Sequence, residues 1–251
     1  MKRGGVSSRN IVHLAQESHD WAEAERLQRV CVDLDRRNAA SLLARPAESL
    51  SAEEKNTLRT LAVSMQLLGR LQSQLGKTEC VNTYQEGYEL SSKIGDQSAA
   101  VTAFNLGHAY MGDEVPALRN LDEAERWYRR SLELRAEGDY SGRARSAGQL
   151  GSIAYERFTD AKKEGKKKEE LLKHINTAVD YYQQALALLP SDAVDDLAVT
   201  HNQLGLIYKN AGDLERALEH YNKSVQYKEM AGNIYAAGTT RFNIALMFAQ
   251  N

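Results

Sequence analysis

Proline is scarce, with 3 residues in 251, so long stretches are free to stay helical. Cysteine is scarcer. Cys31 and Cys80 are too few for a disulfide framework, and both are expected as buried free thiols. Net charge is nearly absent: 32 Lys+Arg against 34 Asp+Glu leaves −2, which offers no bulk attraction for nucleic acid or an anionic membrane. No apolar run approaches the ~18 residues of a membrane-spanning helix. The opening Met1-Lys2-Arg3-Gly4-Gly5 is basic, but no apolar stretch of signal-peptide length follows. It reads as a cytoplasmic N-terminus or as residues left by expression.

Signatures of chemistry are also missing. Gly142, Gly148 and Gly151 fall on or beside one expected helix, not in a phosphate-binding loop between strand and helix. His13, His19, His108, His174, His201 and His220 are scattered without metal-ligand spacing. Neither a nucleophile elbow nor a Cys–His motif occurs. The expectation is a protein that is not an enzyme and uses no cofactor or metal. Lys162–Lys168 is the one basic run, but Glu164, Glu169 and Glu170 interleave it, which suits a solvated helix extension or turn. It has no aromatic residues for stacking bases.

What is present is a recurring hairpin. Residues 203–224 carry Leu204-Gly205 and Tyr208, then Gly212-Asp213, then Ala217, Tyr221 and Ser224. The same order recurs as Leu106-Gly107 and Tyr110 with Ala124, Tyr128 and Ser131, and as Leu150-Gly151 with Ala178, Tyr182, Ala185 and Pro190. An earlier copy has Leu68-Gly69, a turn at Gly76-Lys77, then Cys80, Tyr84 and Gly87. Ser51 and Glu54 form a capping box, so a helix is expected from Ser51 to about Leu75. Arg45-Pro46 breaks the rhythm before it. Residues 10–33 hold a worn copy with a short first helix near Asn10–Ser18 and a second carrying Ala24 and Cys31. At the other end, Ile244-Ala245 and Phe248 replace Leu-Gly and Tyr, and no second helix follows.

The small-residue anchors Gly69, Gly107, Gly151, Gly205 and Ala245 are spaced 38, 44, 54 and 40 residues apart. Insertions near 112–120 and 158–172 account for the two longer intervals. Each glycine is expected to admit close helix contact, with Ala124, Ala178 and Ala217 as the small residues opposite. The reading is all-α: a right-handed superhelical solenoid of antiparallel hairpins with about five and a half units. It divides into a degenerate repeat and linker at 1–50 and an array at 51–251 whose final unit is incomplete.

The Leu-Gly-x-x-Tyr, Ala-x-x-x-Tyr order resembles the tetratricopeptide repeat (TPR). The period near 40 resembles the long-helix subclass of kinesin light chains, Pins-type adaptors and bacterial signalling proteins. No tryptophan precedes Leu-Gly here, a departure from that pattern. The resemblance implies a protein–protein interaction scaffold that binds an extended partner segment in a concave groove. An alternative is the sensor region of a larger signalling NTPase or caspase-like protease. The residue before each Leu-Gly is an amide in four units: Asn105, Gln149, Gln203 and Asn243. By the resemblance, amides there line the groove and bond a peptide backbone, for which an amide has both donor and acceptor. By register, Phe104, His108, Met111, Arg145, Tyr155, Asn202, Leu206, Lys209, Phe242 and Leu246 share that face. The carboxylate clamp of chaperone-binding TPR domains is not matched, since Arg145 and Lys209 stand alone. The expected partner is a protein or peptide in the cytoplasm, with no nucleic acid and no membrane. Phe242, Ile244, Met247 and Phe248 lack a covering helix, which raises self-association through the C-terminal helix.

Overall fold

The computed structural model of the protein describes residue 17 and residues 20–249. The helix expected over Asn10–Ser18 lies outside the described residues, apart from Glu17. Among the described residues there are ten α-helices and no strand. They divide into two compact units, one ending at Leu134 and one beginning at Arg135.

The first unit contains α1 (Trp21–Ala39), α2 (Ala52–Gln74), α3 (Cys80–Lys93), α4 (Ser98–Met111) and α5 (Leu121–Leu134). The second contains α6 (Tyr140–Lys163), α7 (Lys168–Leu188), α8 (Val194–Ala211), α9 (Leu214–Met230) and α10 (Ile234–Ala249). Within each unit every helix packs on the next, and alternate helices touch: α2 with α4, and α6 with α8. That is the contact pattern of stacked helical hairpins, where each pair gains a core only by covering its neighbour.

The helix boundaries follow from local chemistry. Ser51 Oγ accepts from the Glu54 amide at 3.2 Å while the Glu54 carboxylate accepts from the Ser51 amide at 2.8 Å, so α2 starts on a complete capping box. Gly212 ends α8 in the left-handed region at φ 83°, where a side chain would be strained. Its amide donates to Lys209 O at 3.1 Å, and the Asp213 amide reaches back to Tyr208 O at 2.9 Å. Asp213 then opens α9 by accepting from the Arg216 amide at 3.1 Å. Two residues thus stop one helix and start the next.

The two long intervals have different structures. Residues 112–120 form a loop with a single 3-10 turn at Pro116–Leu118. The insertion near 158–172 goes mostly into helix: α6 runs 24 residues and α7 runs 21, against 18 and 17 for α8 and α9. The basic run straddles the short turn between α6 and α7 and is exposed.

Helix contact rests on one device used four times. A Cβ added to Gly69, Gly107, Gly151 or Gly205 would lie 2.7, 2.7, 2.8 or 2.6 Å from a ring carbon of Tyr84, Tyr128, Tyr182 or Tyr221. In each hairpin the tyrosine of the second helix lies flat on the bare backbone of the first. Ala124, Ala178 and Ala217 are fully buried beside these rings. The expected burial of Cys31 and Cys80 as free thiols is observed.

The C-terminal helix corrects one expectation. Met247 is not left uncovered: it is fully buried in the core of the second unit with Leu204, Ile207 and Tyr221, and Ile244 packs beside it. The helical period sets both on the same side as Ala237 and Thr240, against the preceding hairpin. Phe242 and Phe248 do stand in solvent.

Candidate functional site

The face of interest belongs to the first helix of each hairpin. Each amide lies two residues before its glycine, or before Ala245 in α10, about 200° round the helix. Since the glycine faces the tyrosine of the second helix, the amide points away from it. In the second unit α6, α8 and α10 carry Gln149, Gln203 and Asn243 at this position. In the first unit α4 carries Asn105, and α2 has Leu67 instead, 40% exposed.

Two contacts hold α6 and α8 side by side. Arg145 pairs with Asp196 at 3.2 Å, and Asn210 Nδ2 donates to Tyr155 Oη at 2.9 Å. These link residues 51 and 55 apart in sequence, and Gln149 and Gln203 fall between them. The two glutamines therefore sit in register on neighbouring helices. On the far side of α8, Thr240 of α10 lies 3.4 Å from Asn202 Oδ1, which brings Asn243 next in the row. All four amides are half-buried, and none has a hydrogen-bond partner among the described residues. A half-buried amide with free donor and acceptor capacity can accept a ligand's backbone at little structural cost.

The neighbouring candidates divide. Phe104 is half-buried and meets the edge of Tyr128 at 5.2 Å, while His108 is exposed. Asn202 and Lys209 are half-buried, and Phe242 and Leu246 are exposed. Arg145 is held by Asp196, so it is not a free cation. Met111 is buried, and Leu206 packs on the core. Burial raises the Tyr155 hydroxyl pKa, so it stays protonated.

One constellation was not anticipated. His201 of α8 and His220 of α9 meet with their Nδ1 atoms 2.9 Å apart. Tyr227 stacks on His201 at 5.7 Å, and Tyr208 stacks on His220 at 5.4 Å. Burial, then the neighbouring His220, lowers the His201 pKa to about 4, and burial lowers that of His220 too. Scattered in sequence, the two meet because α8 and α9 run antiparallel about the Gly212 turn. Hairpin register, not histidine spacing, was the available signal.

Elsewhere a cavity of about 350 Å³ in the first unit is lined by Tyr88, Trp127 and the arginines 126, 129 and 130. Each arginine already pairs with a carboxylate, Glu123, Glu125 or Glu133, so it offers no spare charge. Among the described residues no group of three or more His, Cys, Asp and Glu could hold a metal ion. No described helix is long and apolar enough to cross a membrane.

Comparison with known proteins agrees with this architecture. Residues 198–229, the α8–α9 hairpin, match the tetratricopeptide repeat family model. Among solved structures the chain is similar to BtubC (BKLC) from P. vanneervenii, with 21% identity and a TM-score of 0.65 over 90% of this chain and 80% of that one. It is also similar to a putative kinesin light chain of Podosopora anserina with nearly identical TPR-like repeats. That match has 16% identity and a TM-score of 0.54 over 90% of this chain and 95% of the other. A second crystal structure of the same protein, carrying one substitution, gives 16% and 0.56. No curated protein is significantly similar in sequence.

Proposed function

We propose that this chain, a tetratricopeptide-repeat array by its fold and by its matched hairpin at residues 198–229, is a non-enzymatic scaffold for another protein. In this reading the first helices of the second unit hold an extended partner segment along Gln149, Gln203 and Asn243. The carrying observation is that row of three half-buried amides, in register and without internal partners. Each would give and take one hydrogen bond with a peptide main chain. Such a ladder grips any extended backbone, and the adjoining Asn202 and Lys209 would select among sequences. Asn105, with Phe104 and His108 beside it, would play the same part in the first unit.

The test begins with pull-down mass spectrometry to find a bound segment, followed by titration of its synthetic peptide. A net hydrogen bond contributes about 1 kcal/mol. Gln149→Ala with Gln203→Ala removes four such bonds and should therefore weaken the peptide about a thousandfold, and N-methylation of two of its central amides, which removes two, about thirtyfold. If the double variant binds as tightly as the parent, the amides are not the ladder.

A further inference from the structure

The hairpins share a second seat besides the glycine. Ser224 Oγ donates to Ala198 O at 2.8 Å, and Ser131 Oγ donates to Ala100 O at 2.8 Å. Ala198 and Ala100 lie seven residues before Gly205 and Gly107. In the α2–α3 hairpin, a Cβ on Gly87 would lie 3.3 Å from Ala62 O, and Ala62 again precedes Gly69 by seven. So each first helix offers two small residues two turns apart. Each second helix fills them with an aromatic ring and, three residues later, a small residue.

Helix α10 has both seats, Gly238 and Ala245, and both are exposed. Nothing lies within 4 Å of a Cβ built on Gly238. Around them stand Ile234, Phe242 and Phe248, 64%, 62% and 58% exposed. The same face also carries the filler. Gly238, Phe242 and Ala245 repeat the small–aromatic–small spacing of Ala217, Tyr221 and Ser224. Both halves of the hairpin joint are therefore present on one surface. Its lone charge, Arg241, is held by Glu229, so two such faces meet without like-charge repulsion.

We propose that a second copy of this chain covers α10, the two α10 helices lying antiparallel about a two-fold axis. Phe242 of each copy rests on Ala245 of the other, the alanine methyl holding its ring about 1 Å farther out than Tyr221 lies on Gly205, and Ala245 of each meets Gly238 of the other, as Ser224 meets Ala198. Exchanging the two copies reproduces the same contacts, so the contact is isologous and closes at a dimer. The helices α3, α5, α7 and α9 carry the same spacing but already fill the seats of their own hairpins, whereas α10 of a second copy presents it free. Asn243 lies about 160° round the helix from Ala245, so this dimer does not depend on the peptide reading. A joint of two single helices is at the small end of stable interfaces, so a weak dimer with a midpoint at micromolar concentration is expected.

Light scattering and sedimentation across the micromolar range test this directly on the 251-residue chain. The parent should pass from monomer to dimer. Phe242→Ala should weaken dimerisation about tenfold, and Phe242→Glu should abolish it. Both should keep the parent's helical circular dichroism, since Phe242 is exposed. A positive readout is crosslinking: Gly238→Cys combined with Ala245→Cys should give a disulfide dimer under mild oxidation, and neither single variant should. Cys31 and Cys80 are buried and do not compete. A parent that stays monomeric throughout, a Phe242→Glu variant that still dimerises, or a double-cysteine variant that does not crosslink would each overturn the proposal.

Discussion

Alanine at Gly205 should destabilise the protein, although alanine is the better helix former. A Cβ there would lie 2.6, 2.8 and 2.9 Å from Cδ1, Cε1 and Cγ of Tyr221. Ordinary contact is 3.4–4 Å, so the ring must withdraw by about 1 Å. It has nowhere to go: Tyr221 is 2% exposed, wedged among Leu204, Ile207 and Ala217. Overpacking of this kind costs about 1–3 kcal/mol, and three ring carbons in the clash put it in the upper half of that range. Helix propensity returns about 1 kcal/mol. The net expectation is a loss of about 1–2 kcal/mol. Gly148 is the control. It is also helical, but its nearest neighbour to an added Cβ is Tyr182 Cε1 at 3.8 Å, an ordinary contact. Gly148→Ala should therefore stabilise by about 0.5–1 kcal/mol. Urea unfolding followed by circular dichroism reads both signs. Trimming the ring with Tyr221→Leu should also make Gly205→Ala harmless, giving a coupling of about 1–2 kcal/mol in the double-mutant cycle. If Gly205→Ala and Gly148→Ala shift the midpoint in the same direction, the ring-on-glycine seat is not what limits helix approach.

The histidine pair predicts a pH dependence. His201 has a folded pKa of about 4 against an ordinary 6.5, so between those values the unfolded chain binds a proton that the folded chain refuses. Its contribution is complete above pH 6.5 and is lost as pH falls toward 4. The full span corresponds to about 3 kcal/mol, and we expect about half of that because His220 is half-exposed and lets water in. Glu219 and Lys223 are the other charges beside the pair. Urea midpoints at pH 7.5, 5.5 and 4.5 should fall less steeply in His201→Phe than in the parent, and equal slopes would exclude His201 as the cause. Ser224→Ala removes a buried hydroxyl and leaves Ala198 O without that bond, so it should cost about 1 kcal/mol in the same unfolding assay. Ser224→Gly should cost more, because it adds a helix-propensity loss.

The hairpins were legible because their constraint is local and repeated. A glycine that must bear a ring, and a tyrosine that supplies it, recur at fixed intervals whatever lies between. The Ser51–Glu54 box and the Gly212-Asp213 turn were legible for the same reason, since each acts within a few residues. The insertion before Ala178 was less so. A Lys- and Glu-rich stretch suits an exposed helix and a solvated turn equally, and only the structure shows it mostly lengthening α6 and α7. The burial of Met247 is not legible in the sequence because its neighbours, Leu246 and Phe248, point outward. A hydrophobic run on a helix is split between faces, so composition alone could not say which member is buried. The amide row lies at a different level. Its positions could be read from the repeat, and its unbonded state could not, because that depends on whether adjoining helices offer partners.

The repeat also explains why α10 stands apart from the other first helices. In α2, α4, α6 and α8 the bare glycine backbone is quiet because a tyrosine already lies on it. Specificity at the ring seat comes from spacing, not from charge or hydrogen-bonding pattern, since a ring on a backbone has no directional partner. A helix with the spacing and no ring upon it therefore remains competent to pair with any copy of the same code. At Gly238, Phe242 and Ala245 that code faces solvent. The feature that stacks the fold internally is thus the one that should decide how copies of this chain meet.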